Sequence, residues 1–297
     1  MKNSYSTREL AEMLSVNEST VKRWADSGYI ECAKTKGGHR KFPVRSVLKF
    51  IHENQMNVPS LSLAEFDKKD EQAHLSAGFV DILVPRLKEA ALQGDSHEVL
   101  RLMRTGLVSQ PDMILLYTQL LFPALVEIGA GWENGELGVD SEHLATQAIK
   151  SALFRFQSEI HVKEANGLTA IVTCYEGEIH DIAITCIACY LTSEGWKVYH
   201  LGQDIPTEDL ATFIQMKKPD LVAVSADIIE NERSFVLAVN NKIVAAAKKA
   251  GALTIVGGSG LPSRFKGRLK CDHQSGDIAD IKLIHEKILK EKVLVSK

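Results

Sequence analysis

The chain has five cysteines in 297 residues, an odd number with no disulfide framework, which points to a reducing compartment. The Met-Lys-Asn-Ser start lacks the apolar run of a signal peptide, and no stretch reads as long and apolar enough to span a membrane. A cytoplasmic protein is therefore expected. There is no internal repeat and no low-complexity tract. No phosphate loop is present, and no Ser/His/Asp series stands at recognisable hydrolase spacing, so nothing marks an enzyme. The single Cys-x-x-Cys, Cys186-Ile187-Ala188-Cys189, has no second pair at zinc-site spacing and lies in an apolar run, so it reads as buried core. A strong net charge is also lacking, since the total is −3. That charge is uneven, however. Residues 1–58 hold ten Lys/Arg against six Asp/Glu, a net of +4, which leaves −7 for the remainder. A basic module on an acidic body fits a DNA-binding head on a sensor.

What is present divides into four parts: a basic head over 1–58, a polar and charged linker over 59–75, a helical region over 76–162 and a β/α region over 167–297. The helical region carries long amphipathic runs broken at Gly94-Asp95, Ser109-Gln110-Pro111 and Asn134-Gly135, which predicts a four-helix bundle. In the last region, Leu168–Cys174, Trp196–Leu201, Leu221–Ser225 and Leu253–Val256 read as strands. Ile179–Ser193, Thr207–Met216, Glu230–Ala250 and Asp277–Leu289 read as helices. Such alternation predicts a doubly wound parallel sheet.

The head has well-punctuated pieces. Ser6 can cap a helix over Thr7–Leu14, with Glu9 at the capping-box position. Ser15-Val16-Asn17 makes a turn, and Asn17 can cap a second helix, Glu18–Asp26. Ser19, Thr20, Lys22 and Arg23 fall where the second helix of a helix-turn-helix meets bases and phosphates, whereas Val21 and Trp24 are placed for the core. Gly28-Tyr29-Ile30 follows, then a Gly37-Gly38 turn flanked by Lys36, His39, Arg40 and Lys41, which can grip phosphates. This head resembles the winged helix-turn-helix of the MerR superfamily, which excisionase-like proteins share.

The β/α region carries a second constellation. Glu178-x-His180-x-x-Ala183 stands at a strand-to-helix turn, where α/β sheets bind ligands. Between Ala183 and Ser225-Ala226-Asp227 lie 41 residues, and between Asp227 and Gly257-Gly258 lie 29. These elements resemble the Asp-x-His-x-x-Gly, Ser-x-Leu and Gly-Gly pattern of cobalamin-binding modules on a Rossmann-like sheet. That resemblance implies that His180 ligates cobalt, the metal, from below, with Glu178 orienting its ring. It also implies that Ser225 bonds the displaced nucleotide tail and that Gly257 and Gly258 let the backbone approach it. In the helical region Trp132 is followed, after nine residues, by Glu142-His143. This resembles the Trp-x9-Glu-His motif of the light-responsive MerR-type cobalamin regulators, the CarH/LitR group, whose bundle caps the upper face of adenosylcobalamin.

The resemblance implies a cytoplasmic, non-enzymatic regulator that binds operator DNA, assembles as a homotetramer when loaded with adenosylcobalamin and releases DNA in light. Four positions depart from the resembled pattern. Glu178 replaces Asp, Ala183 replaces Gly, and Asp227 replaces Leu. Glu133 stands where the prototype has a histidine that captures cobalt after illumination; His143 is another imidazole in that region. Two further functions keep the same architecture: a cofactor-independent regulator sensing another ligand or partner, and a corrinoid methyl carrier. A purely structural DNA-binding protein would not need Trp132, Glu142 and His180 together. Of the remaining residues, His200, Phe265 and Trp196 read as structural, the C-terminal lysines as a solvated helix face, and His273 and Asp280 have no obvious partner.

Overall fold

The computed structural model describes residues 4–14, 16–35, 37–43, 46–47, 50, 77–109, 112–259 and 261–295. The expected linker over 59–75, Ser15, Lys36 and the Gln110-Pro111 break lie outside the described residues. The chain forms two compact units, Met1–Ala152 and Leu153–Lys297.

In the first unit, β1 (Ser4–Ser6) leads into α1 (Thr7–Met13) and α2 (Glu18–Asp26), followed by β2 (Ala33–Lys34) and β3 (Arg40–Pro43). The strands form an antiparallel sheet in the order β1-β3-β2, and β1 was not expected. The Ser6–Glu9 capping box is complete: Glu9 N–H donates to Ser6 Oγ, and Ser6 N–H donates to the Glu9 carboxylate at 2.7 Å. Asn17 sits at the N-cap of α2 in an extended conformation, but its side chain makes no capping bond, contrary to expectation. Leu10, Val21, Ile30 and Phe42 make a small core, and the Trp24 ring lies 4.8 Å from that of Phe50.

Four helices follow: α3 (Ala77–Leu92), α4 (Ser96–Ser109), α5 (Met113–Glu133) and α6 (Val139–Glu159). Helix α5 corrects one expectation. Its 21 residues, with a mean hydropathy of 1.6, are long and apolar enough to cross a membrane. Its apolar character has a packing cause: Ile114, Leu116, Tyr117, Leu120, Leu121, Ala124 and Ile128 are buried. Its polar rim is tied back by Glu127, 3.3 Å from Lys88 of α3. A wider π turn over Tyr117–Leu121 interrupts it. Helix α6 buries Ala145, Ala148, Ile149 and Ala152 at helical spacing.

The second unit contains β4 (Thr169–Cys174), α7 (Ile182–Ser193), β5 (Lys197–Gly202), α8 (Thr207–Lys217) and β6 (Leu221–Ser225). Then come α9, which runs from Glu232–Ala238 through a π turn (Val239–Val244) into Ala245–Ala250, β7 (Leu253–Gly257), α10 (Leu261–Arg264), β8 (His273–Ser275) and α11 (Asp280–Val295). All five strands are parallel, in the order β5-β4-β6-β7-β8. The chain leaves β4 toward one edge and returns past it to β6, so the loops after these two strands diverge and open a crevice at their carboxyl ends. Strand β6 is buried throughout, as befits the centre of a sheet covered on both faces. Cys186 and Cys189 are buried in α7, and burial pushes the Cys186 thiol well above its ordinary value.

The short β8 and α10 were not expected. Asp280 does have a partner, accepting from Ser275 Oγ at 2.7 Å. Lys292 is not merely solvated: its ammonium donates to the Gly167 carbonyl at 2.9 Å. The segment entering β4 is pressed onto the α7–β5 turn. A Cβ at Gly195 would lie 2.2 Å from the Glu164 carbonyl oxygen, and Asn166 N–H donates to the Gly195 carbonyl.

Beside that turn, Trp196 Nε1–H donates to Nδ1 of buried His285 at 2.9 Å, and His285 Nε2 lies 3.2 Å from Glu194. Nδ1 must therefore stay unprotonated. Burial holds His285 below its ordinary value of 6.5, against the pull of Glu194. The unfolded chain then binds this proton more readily than the folded one, so the contribution is complete above about pH 6.5 and shrinks as pH falls below it. Thermal melts of wild type should show a midpoint that drops between about pH 6.5 and 5. His285→Gln should flatten that slope; an unchanged slope would mean that other groups set it.

Candidate functional site

The loop between β4 and α7, residues 175–181, is where the sequence places its histidine. The expected helix over Ile179–Ser193 begins only at Ile182, because the preceding amides are used elsewhere. Glu178 is fully buried and its carboxylate is shared between two loops. Oε1 accepts from the His180 backbone N–H at 2.8 Å and lies 2.7 Å from His180 Nδ1. Oε2 accepts from the backbone N–H groups of Asp227, at 2.6 Å, and Ile228, at 2.8 Å, in the loop after β6. Burial pushes the Glu178 carboxyl up, but the amides of Ile228, His180 and Asp227 and the His180 ring together bring it below its ordinary value.

The charged Glu178 requires Nδ1 of His180 to carry the proton, which leaves Nε2 with its lone pair. The His180 side chain is 60% exposed, so this nitrogen can meet a ligand. Ile179 and Ile228, in the loops that Glu178 joins, are both exposed. The loop is braced from outside as well. Glu176 accepts from Thr207 N–H and Oγ1 at the start of α8, Asp204 accepts from Gly177 N–H at 2.8 Å, and Gln203 donates to the Ile179 carbonyl. None of these braces was anticipated, since each partner lies 24–31 residues along the chain.

Cys174, Ser225 and Gly257 are level with one another across β4, β6 and β7, which brings Ser225, Gly257 and Gly258 to the same end of the sheet as His180. A Cβ on Gly258 would sit 2.1 Å from the Ala226 carbonyl oxygen, so only glycine fits this crossing. Asp227, unfavourable on sequence grounds as a carboxylate beside a buried slot, is satisfied: it accepts from Ser259 N–H. Burial still raises its carboxyl, the Ser259 amide opposes this, and the charge of Glu178 adds to the rise. Ala183 is half-buried in the first turn of α7.

In the other unit, Trp132 lies near the end of α5 and is 48% exposed. Glu142 of α6 accepts from Thr146 Oγ1 at 2.7 Å, and His143 Nε2 stands 3.7 Å from the Glu142 carboxylate. No hydrogen bond or ring contact joins Trp132 to Glu142 or His143 among the described residues. In the head, Ser19, Lys22, Arg23 and His39 are exposed, and Thr20 and Lys41 are half-buried. Arg40 departs from expectation: its side chain is 18% exposed and pairs with Asp26 at 2.5 Å, which ties β3 to α2. Lys36 lies outside the described residues.

Three family models match the chain. One, described as a helix-turn-helix domain, covers residues 4–55. Two, each described as a B12 binding domain, cover residues 83–156 and 168–277. The chain is 25% identical to the HTH-type transcriptional repressor CarA of Myxococcus xanthus, covering 87% of this chain and 88% of that one. It is 24% identical to the HTH-type transcriptional repressor CarH of the same organism, covering 78% and 82%. It is a CarH-like cobalamin-binding regulator. A corrinoid protein of Desulfitobacterium hafniense is 28% identical, covering 48% of this chain and 68% of that one. The structure of Methanosarcina barkeri monomethylamine corrinoid protein matches with a TM-score of 0.58 at 16% identity, covering 68% of this chain and 96% of that one, a likeness of fold alone.

The sheet unit of this CarH-like regulator fits a cobalamin on its own chemistry. The His180 Nε2 lone pair is presented to solvent by a buried carboxylate. Ser225 is buried at the mouth of the sheet, level with Gly257. Beside it, Gly258 passes so close to the Ala226 carbonyl that only glycine fits there.

Proposed function

We propose that this regulator is a repressor that binds operator DNA as an adenosylcobalamin-loaded tetramer and lets go in light. The observation that carries the proposal is the Glu178–His180 pair, which offers one fixed imidazole nitrogen in a crevice of a chain that also holds a helix-turn-helix domain. His180 would ligate the metal, Glu178 would fix the ring, and Ser225, Gly257 and Gly258 would receive the nucleotide tail. When bound, adenosylcobalamin supplies a cobalt–carbon bond that light can break. The helices over 76–162 would form a four-helix bundle, with Trp132, Glu142 and His143 over the upper face. The β2–β3 hairpin would act as a wing beside α2, where Ser19, Thr20, Lys22 and Arg23 would face DNA and Lys36, His39 and Lys41 would add phosphate contacts. The domain division would be 1–58, a linker over 59–75, 76–162 and 167–297. A methyl carrier would share the crevice, but has no use for a helix-turn-helix domain.

The test follows one preparation from dark to light. Protein loaded with adenosylcobalamin is expected to bind duplexes selected from a random-sequence pool, with an affinity that falls steeply as salt rises because phosphate contacts release counterions. On illumination its mass by size-exclusion chromatography with light scattering should drop and its DNA affinity should fall. Unchanged mass and affinity, despite a spectrum showing photolysis, would leave a cobalamin-binding regulator that is not a light switch.

A further inference from the structure

Position 227 holds an aspartate where the cobalamin-module pattern has leucine. The structure gives this residue two connections in opposite directions. Its backbone N–H donates to Glu178 Oε2 at 2.6 Å, alongside that of Ile228 at 2.8 Å. Its side-chain Oδ1 accepts from Ser259 N–H in the loop after β7. Glu178 in turn holds His180 through Oε1, at the backbone N–H and at Nδ1. Three loops are therefore joined in series, from the β7 loop through Asp227 and Glu178 to the imidazole. The loops after β6 and β7 have little freedom to slide past each other. Gly258 lies against the Ala226 carbonyl closely enough to exclude a Cβ. Farther out, Arg264 donates to the Ile229 carbonyl at 3.3 Å and to Glu232 at 2.8 Å.

We infer that Asp227 is a positioning residue that couples the crevice beside Gly257 and Gly258 to the orientation of the His180 ring. This rests on the cobalamin reading above. A nucleotide tail entering that crevice must press on the loop after β7. A leucine at 227 has no acceptor for the Ser259 amide, so the link from that amide into the 227 peptide would be missing. With aspartate, the loop's displacement is carried through a rigid peptide to a buried carboxylate that cannot release one pair of donors without disturbing the other. By linkage, the tail should then strengthen cobalt ligation and ligation should strengthen tail binding, to the same degree.

The experiment titrates cobalamin, and cobinamide, which has the corrin ring without the nucleotide tail, into wild type, Asp227→Ala, Asp227→Leu and Asp227→Asn. In the cofactor-free proteins, at constant pH, the ring nitrogen resonances of His180 and the exchange rate of the Ser259 amide are measured. Removing the acceptor with Ala or Leu should lower the preference for cobalamin over cobinamide about tenfold, the smaller end of what loss of an outer-shell partner costs. It should also speed Ser259 exchange and shift the His180 ring resonances. Asparagine keeps a carbonyl acceptor and should restore most of all three. Faster Ser259 exchange with unmoved His180 resonances and an unchanged preference would overturn the inference, leaving Asp227 a local brace. If wild type takes up neither corrinoid, the cofactor reading fails by itself; the His180 resonances of the cofactor-free variants then decide the coupling, a shift supporting it and no shift overturning it.

Discussion

Glu178→Gln is expected to destabilise the protein by about 2–4 kcal/mol, although it changes a single atom. The Glu178 carboxylate accepts from three backbone N–H groups and faces the His180 ring nitrogen, two partners to each oxygen. Glutamine has one acceptor and one donor. At the Oε2 position its NH2 would face two amides that can only donate, and at the Oε1 position the His180 amide beside the ring nitrogen, so either way a buried donor is left unmade, at about 1–3 kcal/mol each. Glu178→Asp, the residue of the resembled pattern, keeps two acceptors on a shorter arm and should cost less. Urea denaturation of the three proteins measures this directly. A glutamine variant as stable as wild type would mean that the carboxylate is not the hub that the four contacts describe. This also revises the simplest view of Glu178 as a mere orienter of the ring, for which glutamine would be a mild change.

His180→Ala should behave in the opposite way. Cobalamin affinity is expected to fall by more than about 100-fold, beyond the usual range for losing an outer-shell partner. Stability should change by no more than about 1 kcal/mol, because the ring is mostly exposed and the backbone N–H at 180 still serves Glu178. Calorimetric titration with cobalamin and a urea curve on the same sample separate the two effects. Equal affinity in variant and wild type would remove His180 from the site.

The contrast between these neighbours shows what was legible in the sequence. The order of strands and helices was plain wherever an apolar run was long and bounded by turn residues. Leu221–Ser225 and Glu18–Asp26 have the expected limits because burial pattern and flanking turns agree there. His180 and Glu178 were legible as a motif. Their surroundings were not, because the partners are remote: Asp227 lies 49 residues from Glu178, and Ser259 lies 32 from Asp227. The same holds for Arg40, which looks like a phosphate contact until Asp26 is placed beside it. Strand β8 escaped notice because three mostly polar residues at a sheet edge carry no apolar signal. Helix α5 was misjudged in the other direction, since a helix packed in a core and one crossing a membrane can share length and hydropathy.

The bond from Lys292 to the Gly167 carbonyl places the way into the sheet unit beside the way out of it. A module whose two ends meet can be cut from one chain and spliced into another without stretching either host, as happens in domain insertion and circular permutation. The sheet unit should therefore tolerate new termini: a permutant that joins its two ends through a glycine linker and opens at an exposed loop is expected to fold. Its architecture is portable, ready to be attached to whatever head needs a corrinoid beside it.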